Sequence, residues 1–288
     1  YEQGDFIDIA IKDYLSLSKT NRKANLKGYK VEVEFPEKKL ELDPYILGLW
    51  LGDGTSANSD ITNQDSEILK YLANNLSQYD CYLQYALNRR THNHYHYRIR
   101  GTKDGKKGSN KVLNILKELD LINNKHIPLD YKANSRENRL QLLAGLIDTD
   151  GHLDPRNKTV YEITQKNKQL SEDIQFVCRS LGFSCEMKEC KKGCQTGAIG
   201  TYYRMNISGK GMNDIPCRIK RKQAENYKHS KDPLVTGIEI EELKIGKYYG
   251  FEVDGNHRFL LGDFTVTHNS TLISDIMYEQ RTVPYGLI

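Results

Sequence analysis

Two acids carry the first chemistry written in this chain. Asp53 closes the apolar run ILGLWLGDG (Ile46 to Gly54), and Asp150 closes LLAGLIDTDG (Leu142 to Gly151). Laid over one another, Gly48 falls on Gly145, Asp53 on Asp150 and Gly54 on Gly151. Two carboxylates held together offer hard oxygen ligands of the kind magnesium takes. A pair of divalent ions at such a site activates a water and stabilises the leaving oxygen of a phosphodiester. A second chemistry sits near the C-terminal end, where FTVTHNS orders His268, Asn269 and Ser270. An asparagine amide attacks its own carbonyl carbon, cyclises to a succinimide and cuts the chain, while a preceding histidine protonates the departing amine. A hydroxyl just beyond it captures an acyl group arriving from upstream.

The acids need elements that bring them together. Each motif reads as a buried helix ending at an acid, and Gly48, Gly52, Ala144 and Gly145 leave room for two such backbones to approach closely. The similarity runs on past the motifs. ITNQDSEILKYLANNLSQYDCYLQYAL (Ile61 to Leu87) and EITQKNKQLSEDIQFVCRSLGFSCEM (Glu162 to Met187) each read as strand, helix, strand. Both continue into basic and aromatic strands, HYHYRIRG and TYYRMNISG, and close on Ile-Pro at Ile127-Pro128 and Ile215-Pro216. Long internal similarity implies duplication, hence an α+β unit of two pseudo-symmetric halves. A pseudo-dyad also suits the near two-fold backbone of a DNA duplex.

Charge agrees with a nucleic-acid partner. The net charge over 288 residues is only +4, but the basic residues are unevenly spread. Arg89, Arg90, Arg98, Arg100, Lys103, Lys106 and Lys107 fall in the first hairpin region; Lys188, Lys191, Lys192 and Arg204 fall in the second. Strand alternation puts Arg98 and Arg100 on one face, able to track phosphates from a groove. Six cysteines follow no secretory signal, and no apolar run reaches membrane-spanning length, so a reduced intracellular setting is expected. Cys190 and Cys194 lack a completing ligand pair, and His92, His94 and His96 read as nucleic-acid contacts or solvent-exposed positions, so no structural metal is expected.

The paired motifs resemble those of LAGLIDADG, or DOD-type, homing endonucleases over roughly Leu42 to Asn226. The resemblance implies two αββαββα-like halves and metal-dependent cutting of both DNA strands by a monomer at a long, weakly palindromic site. It places the metals at Asp53 and Asp150, with Gly52 and Thr149 beside them. Lys125, in NNKHIP, matches the lysine that the family sets before Ile-Pro, where it polarises water or offsets phosphate charge. The aligned residue in the second half is Asn213, so Lys220, or Lys222, stands in. Asp148 is expected to be structural, because its counterpart is Leu51.

The stretch Glu239 to Ser270 resembles the C-terminal splicing blocks of inteins, whose large members carry a nuclease between two halves of an all-β Hint domain. That resemblance makes Asn269 the cyclising residue, His268 and His257 its assistants, and Ser270 the first residue of the downstream host. The expected organisation is 1–41 as the remnant of an N-terminal splicing half, 42–230 as the nuclease (halves 42–135 and 138–230), 231–269 as the splicing segment and 270–288 as host. Tyr1 is not the Cys or Ser that opens an intact intein, so the chain is expected to lack its N-terminal splicing half. STLISDIMYEQRTVPYGLI resembles a Walker A loop after its Gly-Lys, and also DNA-packaging ATPases of large DNA viruses, which suggests a P-loop ATPase as host. Two alternatives stay open: a non-cleaving, maturase-like nucleic-acid binder, and a decayed nuclease within a self-processing protein.

Overall fold

The computed structural model describes residues 6–86, 95–102, 108–193, 199–226, 232–242, 253–268 and 285–286. Two compact units divide the chain, one formed by residues 1–31 with 234–288 and the other by 32–233. The first opens with α1 (Ile11–Ser16), α2 (Lys19–Asn25) and β1 (Gly28–Tyr29). The larger unit then runs α3 (Pro44–Asp53), β2 (Ile61–Thr62), α4 (Ser66–Asn75), β3 (Cys81–Tyr85), β4 (His96–Gly101), α5 (Lys111–Glu118), α6 (Leu129–Lys132), α7 (Arg136–Asp150), β5 (Gly151–Leu153), β6 (Val160–Gln165), α8 (Lys168–Ser180), β7 (Ser184–Gly193) and β8 (Ile199–Ser208).

The two motif helices start at strong local signals. The Asp43 carboxylate accepts the Ile46 amide at 2.9 Å, and Pro44 occupies the first turn of α3. Ser135 caps α7 through the Asn138 amide. Every residue from Tyr45 to Leu51 is buried, as is every one from Leu142 to Asp148. A helix apolar all round must be enclosed by protein, and α3 and α7 enclose one another at glycines. A methyl group added at Gly48 would stand 3.0 Å from the Gly145 Cα and nearer still to the Leu142 carbonyl. One added at Gly145 would stand 2.8 Å from the Leu49 nitrogen, with the Tyr45 carbonyl closer yet. Gly54 and Gly151 end the helices with extended backbone. Their need for glycine is steric: the carbonyls of Trp50 and Ile147 occupy the space a Cβ would take.

Each half builds one antiparallel sheet, ordered β2-β4-β3 in the first and β5-β6-β8-β7 in the second. Gly151 pairs with Ile163, and a single bridge pairs Gly54 with Ile61 in the matching place. The halves depart from a complete αββαββα pattern in two respects. The first strand of the first half shrinks to that bridge, because the turn residues 55–60 fold back through a Thr55 amide to Asp60 carbonyl bond. The closing helix of the second half gives way to short 3-10 turns at Met212–Asp214 and Lys220–Lys222. Gly209 and Gly211 have φ of 153° and 85°, conformations that glycine adopts freely and that interrupt a helix. Asp148 is structural in form. Its carboxylate is buried, accepts the Tyr45 hydroxyl at 2.7 Å and the Arg218 amide at 2.7 Å, and so ties the first motif helix to the chain's later turns.

The first unit resumes with β9 (Val235–Thr236), β10 (Glu241–Glu242), β11 (Arg258–Leu260), β12 (Val266–His268) and β13 (Tyr285–Gly286). Antiparallel pairs join β1 to β9, β10 to β13 and β11 to β12. The flanks expected to be all-β therefore also hold the helices α1 and α2, the second capped by Ser18 on the Asn21 amide. Among the described residues, no helix is long and apolar enough to cross a membrane.

Candidate active site

The close crossing of α3 and α7 carries Asp53 and Asp150 to neighbouring helix ends. A Cβ at Gly52 would lie 3.2 Å from Asp150 Oδ2 and would collide with the Thr149 side chain. Each acid is held by an amide from the strand beside it. Asn63 Nδ2 donates to Asp53 Oδ2 at 2.5 Å, and Gln165 Nε2 donates to Asp150 Oδ2 at 2.6 Å. Neither amide was among the expected site residues. The signal lay in the repeat: ITN and ITQ stand at the same place, two residues beyond the isoleucines that pair with Gly54 and Gly151.

Two lysines close the other side of the helix ends. Lys125 Nζ donates to the carbonyls of Leu51 at 2.9 Å, Gly52 at 3.4 Å and Gly54 at 2.7 Å. Lys222 Nζ donates to those of Ile147 at 2.9 Å, Asp148 at 2.8 Å and Thr149 at 3.1 Å. Helix C-terminal carbonyls lack intrahelical donors and sit at the negative end of the helix dipole, so a cation satisfies both needs. The matching geometry corrects the expectation for Lys220, which is exposed on its 3-10 turn while Lys222 points under α7. A lysine thus lies under each motif helix, the second one coming after Ile-Pro rather than before it. Gly52 and Thr149, expected beside the metals, have their carbonyls engaged by these lysines.

Burial sets the charges of the site. Surrounding protein strips water from the Asp53 carboxyl and lifts it to about 6; the nearby Asp150 charge pushes the same way, while Asn63, Lys222 and Lys125 resist. Asp150 is pushed upward too, by desolvation of a carboxyl that protein crowds although the residue keeps solvent access, with Gln165 and both lysines opposing. Burial lowers Lys125 to about 8, opposed by Asp150 and Asp53; burial also lowers Lys222, with Asp148, Asp65 and Asp53 opposing and Arg221 adding to the lowering. Among the described residues no cluster of three or more His, Cys, Asp or Glu could hold a metal. Two carboxylates suit a hard ion that completes its shell with water and phosphate, as magnesium does.

Among the described residues, the expected basic positions fall on the sheets. Arg98 and Arg100 are exposed on β4 while Ile99 between them is buried. Lys188 pairs in register with Arg204, and Lys192, two pleats along, donates to Thr164 on the same face. Arg204 also sits 3.4 Å from Glu162. Arg89, Arg90, Lys103, Lys106 and Lys107 lie outside the described residues. So do Asn269, Ser270 and the Walker A-like stretch up to residue 284. His257 and His268 are described, and their rings meet edge to face at 5.9 Å across the β11–β12 hairpin. His257 has a φ of 56° and its Nδ1 lies 2.8 Å from the Val253 carbonyl.

Residues 126–230 match the family model described as homing endonuclease. The chain is 26% identical over 251 residues to the replicative DNA helicase DnaB of Mycobacterium intracellulare, covering 85% of this chain and 38% of that protein. It is 25% identical over 256 residues to the homothallic switching endonuclease of Saccharomyces cerevisiae, covering 76% and 42%. To the ATP-dependent DNA helicase Hel308 of Thermococcus kodakarensis it is 24% identical over 257 residues, covering 80% and 21%. The chain therefore spans less than half the length of each of these relatives. Solved structures with similarity include mesophilic variants of the homing endonuclease I-DmoI, at 19% identity and a TM-score of 0.37, covering 58% of this chain and 87% of that one. I-DmoI in complex with DNA and Ca gives 18% identity and the same TM-score, covering 58% and 82%.

Proposed function

We propose that the 32–233 unit is a site-specific DNA endonuclease that uses divalent metal, in keeping with magnesium, to cut both strands. The observation that carries this reading is the pairing of Asp53 and Asp150 at crossed helix ends, each with its own amide and its own lysine. Asp53 and Asp150 would hold the ions; metal bound there supplies an activated water and stabilises the leaving oxygen. Asn63 and Gln165 keep the carboxyl planes fixed as the ligands deprotonate. Lys125 and Lys222 offset charge that builds on the phosphate, and the basic faces of the two sheets track the duplex backbone. Lys222→Met is expected to slow cutting about a hundredfold, as removal of a preorganised compensating charge does. Lys220→Met, on an exposed turn, should leave the rate within about twofold; equal losses in single-turnover assays would contradict this division of roles.

Metal binding follows the titration of Asp53. Its carboxyl is raised to about 6, so the charged form costs the apo fold stability that is lost as pH rises from the ordinary aspartate range through 6. Magnesium must displace that proton, so affinity should fall about tenfold for each pH unit below 6. Melting curves are expected to show a magnesium-induced rise of a few degrees (~1 kcal/mol or more) at pH 7.5 and almost none at pH 5. A rise that is the same at both pH values would contradict metal binding at these acids.

The intein setting is part of the same proposal. Two of the relatives are named DNA helicases and one a switching endonuclease, and the chain covers a minor part of each. A stretch recurring in proteins so differently named fits an element embedded in longer hosts, with a P-loop ATPase as the host here. For the self-cleaving chemistry, the supporting observation is the contact of His257 with His268, beside Asn269 in sequence. Asn269→Ala should then abolish release of the segment after residue 269, read by mass spectrometry. Continued release at that bond would exclude asparagine cyclisation.

A further inference from the structure

Each half of the larger unit lends a helix-capping residue to the other half's lysine segment, and the two loans are made differently. At the start of α8, Asn167 caps its own helix through the Leu170 amide and donates Nδ2 to the Lys125 carbonyl at 2.7 Å. At the start of α4, Asp65 stands in the same place but caps nothing with its side chain. Its carboxylate instead takes the Arg221 guanidinium with both oxygens, at 2.6 and 2.9 Å. An aspartate at a helix start ordinarily accepts a first-turn amide, so this one is diverted to a partner 156 residues away. Bidentate geometry fixes orientation as well as distance.

What the pair joins gives it significance. On one side, the Asp65 amide donates to Asn63 Oδ1 at 2.7 Å, and the same Asn63 holds Asp53. On the other side, Arg221 is the neighbour of Lys222, whose ammonium sits under the carbonyls leading to Asp150. Bonded contacts therefore run from Asp53 through Asn63 and Asp65 to Arg221 and Lys222. Arg221 is 59% exposed, so burial does not account for the contact, whereas Asp65 is 16% exposed.

Resting on the nuclease reading above, we infer that Asp65 and Arg221 are a positioning pair that couples the two strand cuts. The pair holds the second half's lysine in place relative to the first half's acid, so the second cut follows the first before the nicked DNA is released. Neither residue touches the reacting atoms. Without the pair, each acid keeps its amide, but Lys222 and Asn63 lose their common anchor, and the second cut lags.

The test follows a supercoiled plasmid bearing the target site with magnesium, scoring nicked circle and linear product over time. Arg221→Gln and Asp65→Asn should each accumulate nicked circle, with the second cut slowed about tenfold relative to the first. The double variant should be no slower than either single one, Arg221→Lys should lie between, and the melting temperature should barely move. A plain phosphate contact by Arg221 predicts otherwise: Arg221→Gln would weaken DNA binding and slow both cuts together, and Asp65→Asn would cut normally. That pattern, or additive losses in the double variant, overturns the coupling while leaving the nuclease reading intact. A wild-type protein that cuts neither strand removes that reading and the pair's role with it.

Discussion

Gly145→Val is expected to destroy the native packing of the 32–233 unit. The new side chain would enter space held by the Tyr45 carbonyl and the Leu49 amide, both backbone atoms of a helix buried on every side. Backbone cannot step aside as a side chain does, and close-packed interiors have no adjoining void to take up the volume. The cost should reach about 4 kcal/mol or more, a drop of roughly 10 °C in melting temperature. Gly48→Val meets the mirror arrangement and should behave alike. Gly193→Ala is the control: open space surrounds that position, so stability should hold to within about 0.5 kcal/mol. A Gly145→Val protein that melts with the wild type would mean that the two motif helices do not cross as closely as described.

Asp150→Asn should leave DNA binding intact and abolish cutting. Asparagine preserves the shape and can still meet Gln165, but it removes the charge that a divalent ion requires. Loss of one carboxylate ligand from a phosphodiester-cleaving site is expected to cost about a thousandfold or more in rate. Asp53→Asn should do the same, with one further sign. Its carboxyl is held up near 6, so neutralising it removes an unfavourable charge, and the apo protein should melt higher at pH 7.5. Gel-shift and single-turnover assays on the same preparations separate binding from chemistry. Cutting at an unchanged rate by either variant would detach the acids from catalysis.

The acids were legible because their motif occurs twice and each copy ends in an acid and glycine. The strand-helix-strand order of both halves was legible for the same reason, since period and repeat pointed together. The supporting residues were less so. Asn63 and Gln165 look like ordinary polar residues leaving a short strand, and spacing alone does not say how far an amide reaches. The choice between Lys220 and Lys222 was not legible because the halves diverge after their hairpins: glycines at 209 and 211 interrupt the second half where the first forms α5, so the lysine arrives from beyond Ile-Pro. The Asp65 contact with Arg221 had no local signal at all, since it depends on how two distant segments meet. The short helices α1 and α2 were missed because no apolar period of useful length marks them; Tyr14 is the buried residue of α1, and α2 has none.

On the proposed function, two acids at crossed helix ends cut both strands of one DNA site with metal. The direct measurement is cleavage, with and without magnesium, of a plasmid carrying the host gene from which the insert's coding sequence has been removed. A single double-strand cut near the insertion point, lost on chelation and restored by magnesium, is the predicted result. Tight, site-specific binding with no strand cut under any divalent metal would contradict it, and would leave a nucleic-acid-binding protein whose paired acids serve some other end.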